Sequence, residues 1–222
     1  MSCNEFIKHV SDLMRIHSGM LNKLGKIFSK LVASHVELHE SKTCPECGSH
    51  LAREAGKADD DWHCPNPDCP PQLMKRVALW ASPEALDLQG CDEAVVKQLV
   101  QRGLVRDGAE FYRLKVGEIA ALDGMTKERA KQIFDAITAS MKREAWRVLF
   151  GLGIPNLGAT EAQALCRHFP TLDALFAAGR ERLAKLDGVT EIMARSVTHW
   201  YGDPVNRKLV RRLEKIGLNF KC

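Results

Sequence analysis

Apolar residues in the C-terminal two-thirds of the chain recur in four blocks, each combining a short turn with the start of an amphipathic helix. The turns are residues 88–92, 122–126, 154–158 and 186–190. Small or apolar residues follow at fixed offsets from the centre of each turn: Val96, Ala130, Ala162 and Ala194 at five positions, and Leu99, Ile133, Leu165 and Val197 at eight. Residues at these offsets share one face of a helix. The pattern therefore predicts four helices that bury one side and begin at a turn.

The four turns also repeat at a nearly constant distance, because their central residues, at positions 91, 125, 157 and 189, are 34, 32 and 32 apart. A fixed period of this size indicates a repeated supersecondary unit. Gly90, Gly124 and Gly188 suit a sharp reversal between two helices, and Asn156 tolerates the left-handed conformation in the third turn. This is the pattern of tandem helix-hairpin-helix motifs, in which N–H groups at the start of the second helix face a phosphate. The repeat predicts binding to nucleic acid.

Further helices are predicted before, between and after these motifs. Strands are predicted only in the cysteine-rich segment. A short amphipathic helix over residues 73–82 precedes the first motif, and a longer helix over residues 127–149 follows the second turn. Thr171 is placed to cap a short helix that starts at the next residue. A basic helix covers residues 205–216. The expected fold class is mainly α.

Residues 1–42 carry a different pattern, in which apolar residues follow a heptad seam and most lysines lie off it. Such a basic amphipathic helix could associate with a copy of itself, cover a protein partner, lie on an acidic surface or pack on its own domain. Glu5 and Asp12 argue against a mitochondrial presequence. No apolar run reaches the ~18 residues of a membrane span. These features favour a cytoplasmic protein that does not enter a membrane.

Composition adds a mild positive charge and an unusual use of cysteine. With 27% charged and 45% hydrophobic residues, the composition is that of an ordinary globular protein. The net charge of +4 is compatible with binding to DNA but does not require it. Four of the eight cysteines, Cys44, Cys47, Cys64 and Cys69, fall in one short segment. Clustering of this kind favours a metal site in a reducing compartment over a disulfide framework.

The cysteine cluster forms two close pairs on turns that contain proline or glycine, which is a spacing typical of a Zn²⁺ site. Four protein ligands leave no position for water, so the predicted zinc is structural and its binding is coupled to folding. The alternative is four free or disulfide-paired cysteines. His63 adjoins Cys64 and is expected to lie beside the site.

The order of the parts resembles a known family. Residues 44–48, which read Cys-Pro-Glu-Cys-Gly, and residues 69–73 frame a zinc knuckle that leads directly into the hairpins, and residues 149–155 open the third hairpin. Together they closely resemble the zinc-finger and helix-hairpin-helix region of bacterial NAD-dependent DNA ligases, over residues 43–220. The resemblance implies a region that helps to encircle nicked DNA and grips the backbone across the minor groove. In that family, adenylation and oligonucleotide-binding domains precede this region and a BRCT domain usually follows.

No counterpart of the family's nucleotide-binding domains is recognisable in residues 1–42. We therefore expect no NAD site and no catalytic residue here, and no enzyme activity unless an adenylation domain completes the protein. Residues 185–188, Lys-Leu-Asp-Gly, match the ligase adenylation signature Lys-x-Asp-Gly. They lie in register with the fourth hairpin, however, and no strand-rich nucleotide pocket surrounds them. We interpret Lys185 as a hairpin residue.

The predicted DNA contacts come from three of the hairpins. The candidates are Gly124, Thr126, Lys127, Arg129, Lys131, Asn156, Gly158, Gly188, Thr190 and Arg195. Asp92 occupies the equivalent place in the first hairpin, where its charge would repel a phosphate, so we expect the first hairpin to serve packing. Asp92, Thr126 and Thr190 are also expected to be N-caps of the following helices.

The sequence thus predicts an amphipathic segment (1–42), a four-cysteine zinc finger (43–72) and a tandem helix-hairpin-helix domain (73–222). The leading hypothesis is sequence-independent binding to the backbone of double-stranded DNA, intact or nicked, in repair or replication on the bacterial nucleoid. Two alternatives stay open. The chain could be a fragment or separately encoded part of a ligase that acts with an adenylating partner. It could also be a protein-interaction scaffold that has lost DNA affinity.

Overall fold

The computed structural model of the protein describes residues 42–53 and 62–222. The chain divides into two compact units, residues 1–65 and residues 66–222. The predicted amphipathic segment lies outside the described residues, except for Lys42. The boundary between the units falls inside the predicted zinc finger, and the three-domain division stays a prediction.

The described part of the first unit is a small hairpin with a knuckle at its start. Strands β1 (Ala52–Arg53) and β2 (Trp62–His63) pair antiparallel, with Ala52 opposite His63. Before them, the Cys44 N–H donates to the Ser49 carbonyl at 2.8 Å and the Gly48 N–H to the Cys44 carbonyl at 2.8 Å. These bonds close a tight turn around the first cysteine pair.

The second unit is helical. Its helices are α1 (Pro70–Ala81), α2 (Glu93–Gln101), α3 (Val116–Ala120), α4 (Lys127–Ser140), α5 (Ala145–Gly151), α6 (Ala159–His168), α7 (Leu172–Ala177), α8 (Gly179–Leu183), α9 (Glu191–Gly202) and α10 (Pro204–Ile216), with a 3₁₀ turn at Glu110–Arg113. Within the described residues, strands occur only in the cysteine-rich segment, apart from an isolated bridge between Thr171 and Lys221. The predicted mainly α fold is confirmed. No helix in the part of the chain that the structure describes is long and apolar enough to cross a membrane.

One continuous apolar core runs through the second unit. Trp80, Phe111, Ile133, Leu149 and Leu213 are among its largest fully buried side chains. The residues predicted to lie on the buried helix faces are in this core: Val96, Leu99, Ala130, Ile133, Ala162, Leu165, Ala194 and Val197 are all buried. Each of the four turns leads into a helix whose inner face is buried in this core.

Side-chain caps begin the helices at the predicted places. The Asp92 carboxylate accepts the Val95 N–H at 2.9 Å, and the hydroxyl oxygens of Thr126, Thr171 and Thr190 accept the N–H three residues on, at 3.1 to 3.2 Å. Each cap satisfies one of the N–H groups that a helix start leaves without an intrahelical acceptor. The predicted caps are confirmed.

The prediction of one helix over residues 127–149 is wrong. The structure has two helices, α4 and α5, with a break at residues 141–144. The Asn219 N–H donates to the Met141 carbonyl at 3.0 Å and the Asn219 side chain to the Arg143 carbonyl at 3.2 Å. These bonds take up carbonyls that an uninterrupted helix would use itself. The partner lies 76 residues away, so the local pattern contained no sign of it.

Candidate functional site

The four clustered cysteines converge. The sulfur atoms of Cys44, Cys47, Cys64 and Cys69 all lie within 4.8 Å of one another, and those of Cys47 and Cys64 are 3.5 Å apart. In a tetrahedral Zn²⁺ site with Zn–S distances of ~2.3 Å, the sulfurs lie about 3.8 Å apart. The cluster therefore fits a Zn²⁺ ion held by four thiolates, as the sequence predicted. His63 is not a member of it.

A zinc ion at this position is structural because protein sulfurs occupy all four tetrahedral positions. Cys69 is the residue before α1, and Pro70 begins that helix. The Cys69 N–H donates to the Asn66 carbonyl at 3.1 Å, and its carbonyl accepts the Leu73 N–H at 2.9 Å. The ligand and the first turn of α1 are therefore fixed together, and a bound metal would stabilise the start of that helix.

The four hairpin turns share one backbone conformation. Gly90, Gly124, Asn156 and Gly188 have positive φ angles of 85°, 71°, 59° and 75°. Asparagine adopts this left-handed conformation more readily than most side chains. The Asn156 side-chain amide also donates to the Ser196 hydroxyl at 3.0 Å. The third turn therefore keeps the hairpin geometry without glycine, as its sequence indicated.

The hairpins form two pairs. Arg102, at the end of α2, donates to the Ala121 carbonyl at 2.6 Å and to the Asp123 carboxylate at 2.7 Å, which joins the first hairpin to the second turn. At the equivalent place, His168 at the end of α6 contacts the Asp187 carbonyl of the fourth turn at 3.2 Å. The repeat in the sequence predicted four similar hairpins but gave no pairing among them. The contacts in the structure pair the first hairpin with the second and the third with the fourth.

The first hairpin is a packing element. A side chain at Gly90 would lie 2.9 Å from the Ile133 side chain of α4, so the turn sits directly on its neighbour. The Asp92 carboxylate lies 2.7 Å from the Arg129 guanidinium. Its hydrogen bond from the Val95 N–H, and secondarily Arg129, holds the pKa of Asp92 below its usual value. Arg129, predicted to contact DNA, is therefore paired with a neighbouring hairpin.

The second and fourth turns are open. A side chain at Gly124 or Gly188 would meet nothing within 4 Å. Thr126 and Thr190 accept N–H groups as caps, which leaves their own O–H hydrogens free to donate. Lys127 is exposed in the first turn of α4, and Lys131, one turn further, lies 3.4 Å from Asp135. These two turns present backbone to solvent. The first turn of α4 holds Glu128 beside Lys127, and α9 begins with Glu191.

The third turn carries an acidic group that sequence reasoning overlooked. Gly158 is the N-cap residue before α6 and provides no side-chain cap. A side chain there would lie 2.5 Å from the Glu161 carboxylate. The carboxylate therefore covers the surface at which a phosphate would approach. Glu161 occupies the third helical position, where capping boxes place a glutamate, and that spacing was a signal for it. The fourth hairpin instead offers Arg195, which is exposed on α9.

Comparison with known proteins agrees with this geometry. Residues 43–70 match the family model for the NAD-dependent DNA ligase C4 zinc finger domain, and residues 147–210 match the helix-hairpin-helix motif. Over 95% of its length the chain is 35% identical to a DNA ligase of Synechococcus sp. (strain JA-3-3Ab). It is 39% identical over 80% of its length to a DNA ligase of Koribacter versatilis, and 38% identical over 83% to one of Rubrobacter xylanophilus. The resemblance predicted from the sequence is confirmed.

The chain spans only part of these relatives, namely 31%, 26% and 27% of their respective lengths. The matched family models are those of the zinc finger and the hairpin motif, not of an adenylation domain. The similarity therefore concerns the zinc-binding and hairpin part of a DNA ligase.

Proposed function

We propose that the chain binds the sugar–phosphate backbone of double-stranded DNA from the minor-groove side, without reading its sequence. The observation that carries this proposal is the second hairpin, where the open turn at Gly124 leads into the start of α4 beside exposed Lys127. The fourth hairpin repeats the open turn at Gly188 and the threonine cap at Thr190.

Phosphate is the ligand that this arrangement suits. The first N–H groups of a helix have no intrahelical acceptor and carry the positive end of the helix dipole. Together with a flexible lysine they attract an anion. Backbone amides and lysines contact phosphates rather than base edges, so such binding positions the protein without specifying sequence. If about four phosphates are neutralised, the log–log slope of affinity against salt is near −3.6.

Charge reversal at one end of α4 tests the proposal. Lys127→Glu should weaken binding to a 20-base-pair duplex at least tenfold in fluorescence anisotropy, because it removes one phosphate contact and adds a repulsive charge. Lys142→Glu is the matched control, since it makes the same charge change just beyond the other end of the helix and is also exposed. The control should stay within about twofold of the wild type. Equal effects of the two substitutions would overturn hairpin-mediated binding.

A second candidate function is participation in nick sealing, in DNA repair or replication, together with an adenylating polypeptide. The similarity to DNA ligases over most of the chain favours it. The test is ligation of a nicked duplex in the presence of NAD, with an adenylation domain supplied as a separate chain. Sealing that requires both polypeptides, and that Lys127→Glu impairs, would support it. Sealing at the same rate without this chain would refute it.

The remaining candidate is a protein-interaction scaffold. The Asp92 and Glu161 carboxylates lie against the helix starts of the first and third hairpins, which makes these two hairpins less suited to phosphate. If duplex binding were absent even at low salt, this third function would replace the first. Binding to the DNA backbone would instead place the chain on the nucleoid of a bacterial cell.

A further inference from the structure

Two cysteines outside the zinc cluster lie in contact. Cys166 is on α6 and Cys222 is 56 residues further along the chain, yet their sulfur atoms are 2.9 Å apart. A disulfide bond is ~2.05 Å long, so less than 1 Å of movement separates the thiols from bonding distance.

The backbone holds the two thiols in this position. The Cys222 N–H donates to the Pro170 carbonyl at 3.0 Å, and the Leu172 N–H donates to the Phe220 carbonyl at 3.0 Å. Phe220 is itself buried in the core. The segment that carries Cys222 is therefore fixed beside the end of α6 by bonds independent of the sulfurs.

The environment favours thiol chemistry over metal binding. Among the described residues, the zinc cluster is the only group of three or more side chains arranged to hold a metal ion, so this pair lacks a third ligand. Both cysteines line a surface groove together with Trp146 and Gln163, and Cys222 is exposed. A small reagent can therefore reach the sulfur of Cys222.

The two thiols also differ in acidity. The hydrogen bond between the two thiols lowers the pKa of Cys222. The same interaction, together with burial, raises the pKa of Cys166. The more exposed cysteine is thus the one that supplies the thiolate, which is the nucleophile in disulfide exchange.

We propose that Cys166 and Cys222 form a redox-active pair that closes to an intramolecular disulfide by reaction with a low-molecular-weight disulfide such as oxidised glutathione. The Cys222 thiolate attacks one glutathione sulfur, the glutathione S–S bond breaks, and one glutathione leaves as a thiolate. Cys166 then loses its proton and attacks the Cys222 sulfur, which releases the second glutathione. The two cysteines lose two electrons, the glutathione disulfide gains them, and the two thiol protons end on the two released glutathiones.

The bond would close a loop that contains the fourth hairpin and α10. A cross-link over a loop of this length restricts the unfolded chain substantially, and we expect the thermal midpoint of the second unit to rise by about 5 to 15 °C. The open turns at Gly124 and Gly188 are not part of the linkage. Disulfide formation is therefore independent of the proposed DNA binding.

The test uses the full chain loaded with zinc and incubated with excess oxidised glutathione. Peptide mapping without reductant should give one pair of peptides joined through Cys166 and Cys222. The mass of this pair should be about 2 Da below the summed mass of the two reduced peptides, because disulfide formation removes two hydrogens. Added thiol should reverse both the linkage and the rise in the thermal midpoint. Cys222→Ser should show neither effect, whereas the matched control Cys91→Ser should show both.

Two results would overturn the proposal. One is recovery of Cys166 and Cys222 as separate glutathione adducts or as free thiols after prolonged oxidation. The other is an oxidised wild type whose thermal midpoint is no higher than that of oxidised Cys222→Ser. Because the peptide map assigns each linkage, oxidation of the zinc cysteines cannot be mistaken for the proposed bond.

Discussion

Replacing Asp92 by asparagine should allow the first hairpin to contact a phosphate while its turn keeps its packing on α4. In the structure one carboxylate oxygen caps α2 by accepting the Val95 N–H at 2.9 Å, and the other lies 2.7 Å from Arg129. Asparagine caps a helix as well as aspartate does. Asp92→Asn therefore keeps the cap, removes a negative charge and releases Arg129. Because its pKa is lowered, Asp92 is ionised at neutral pH, so the charge is present to be removed.

The size of the effect follows from the exposed setting. A charge about 4 Å from a phosphate in water interacts by ~1 kcal/mol, which corresponds to roughly a fivefold change in affinity. A released Arg129 that neutralises one more phosphate would add about 0.9 to the salt slope, or about eightfold near 0.1 M salt. We therefore expect duplex affinity to rise about 5- to 40-fold. The exposed ion pair that is lost contributes at most about 1 kcal/mol to stability.

The assay is fluorescence anisotropy of a labelled duplex titrated at several salt concentrations. Glu214→Gln is the control, because it changes the net charge equally at an exposed position on α10, away from the four turns. The control should leave the salt slope unchanged. Weaker or equal binding by Asp92→Asn, with the cap shown to be intact by a thermal midpoint that falls by no more than about 4 °C, would refute the assignment of Asp92 as a block to phosphate.

Three further predictions concern the metal, a turn and a buried phenol. Cys44→Ser should remove stoichiometric zinc, measured by metal analysis, because three thiolates cannot fill the four-coordinate structural site; retention of one tightly bound zinc would contradict this. Asn156→Ala should destabilise the protein by about 1 to 2 kcal/mol, because alanine is strained at φ +59°, whereas Asn156→Gly should be nearly neutral in urea unfolding; equal losses would contradict it. Burial raises the pKa of Tyr112 to about 12, so the unfolded chain loses this proton first and stability should fall between about pH 10 and 12. In Tyr112→Phe this part of the decline should be absent, and an unchanged pH profile would refute it.

The sequence by itself determined the features that depend on neighbouring residues. The left-handed turns, the helix caps at Asp92, Thr126 and Thr190, and the buried helix faces were all predicted because each depends on a few consecutive positions. The zinc cluster was predictable for a related reason, since two close pairs of cysteine have few other structural uses. Short helices such as α3 and α8, at five residues each, were missed because they are too brief to show a period.

Tertiary structure alone decided which partners these local elements have. It paired the hairpins in twos, set Arg129 against Asp92, broke the long predicted helix at Asn219 and brought Cys166 to Cys222. The last three of these contacts join residues that are 37 or more positions apart. The spacing of residues along the chain indicates the period of a helix or the residues of a turn. It does not indicate which helix surfaces come into contact in the folded core. The hairpins and the unfavourable charge of Asp92 could therefore be found from the sequence, whereas the pairing of Arg129 with Asp92 could be found only from the fold.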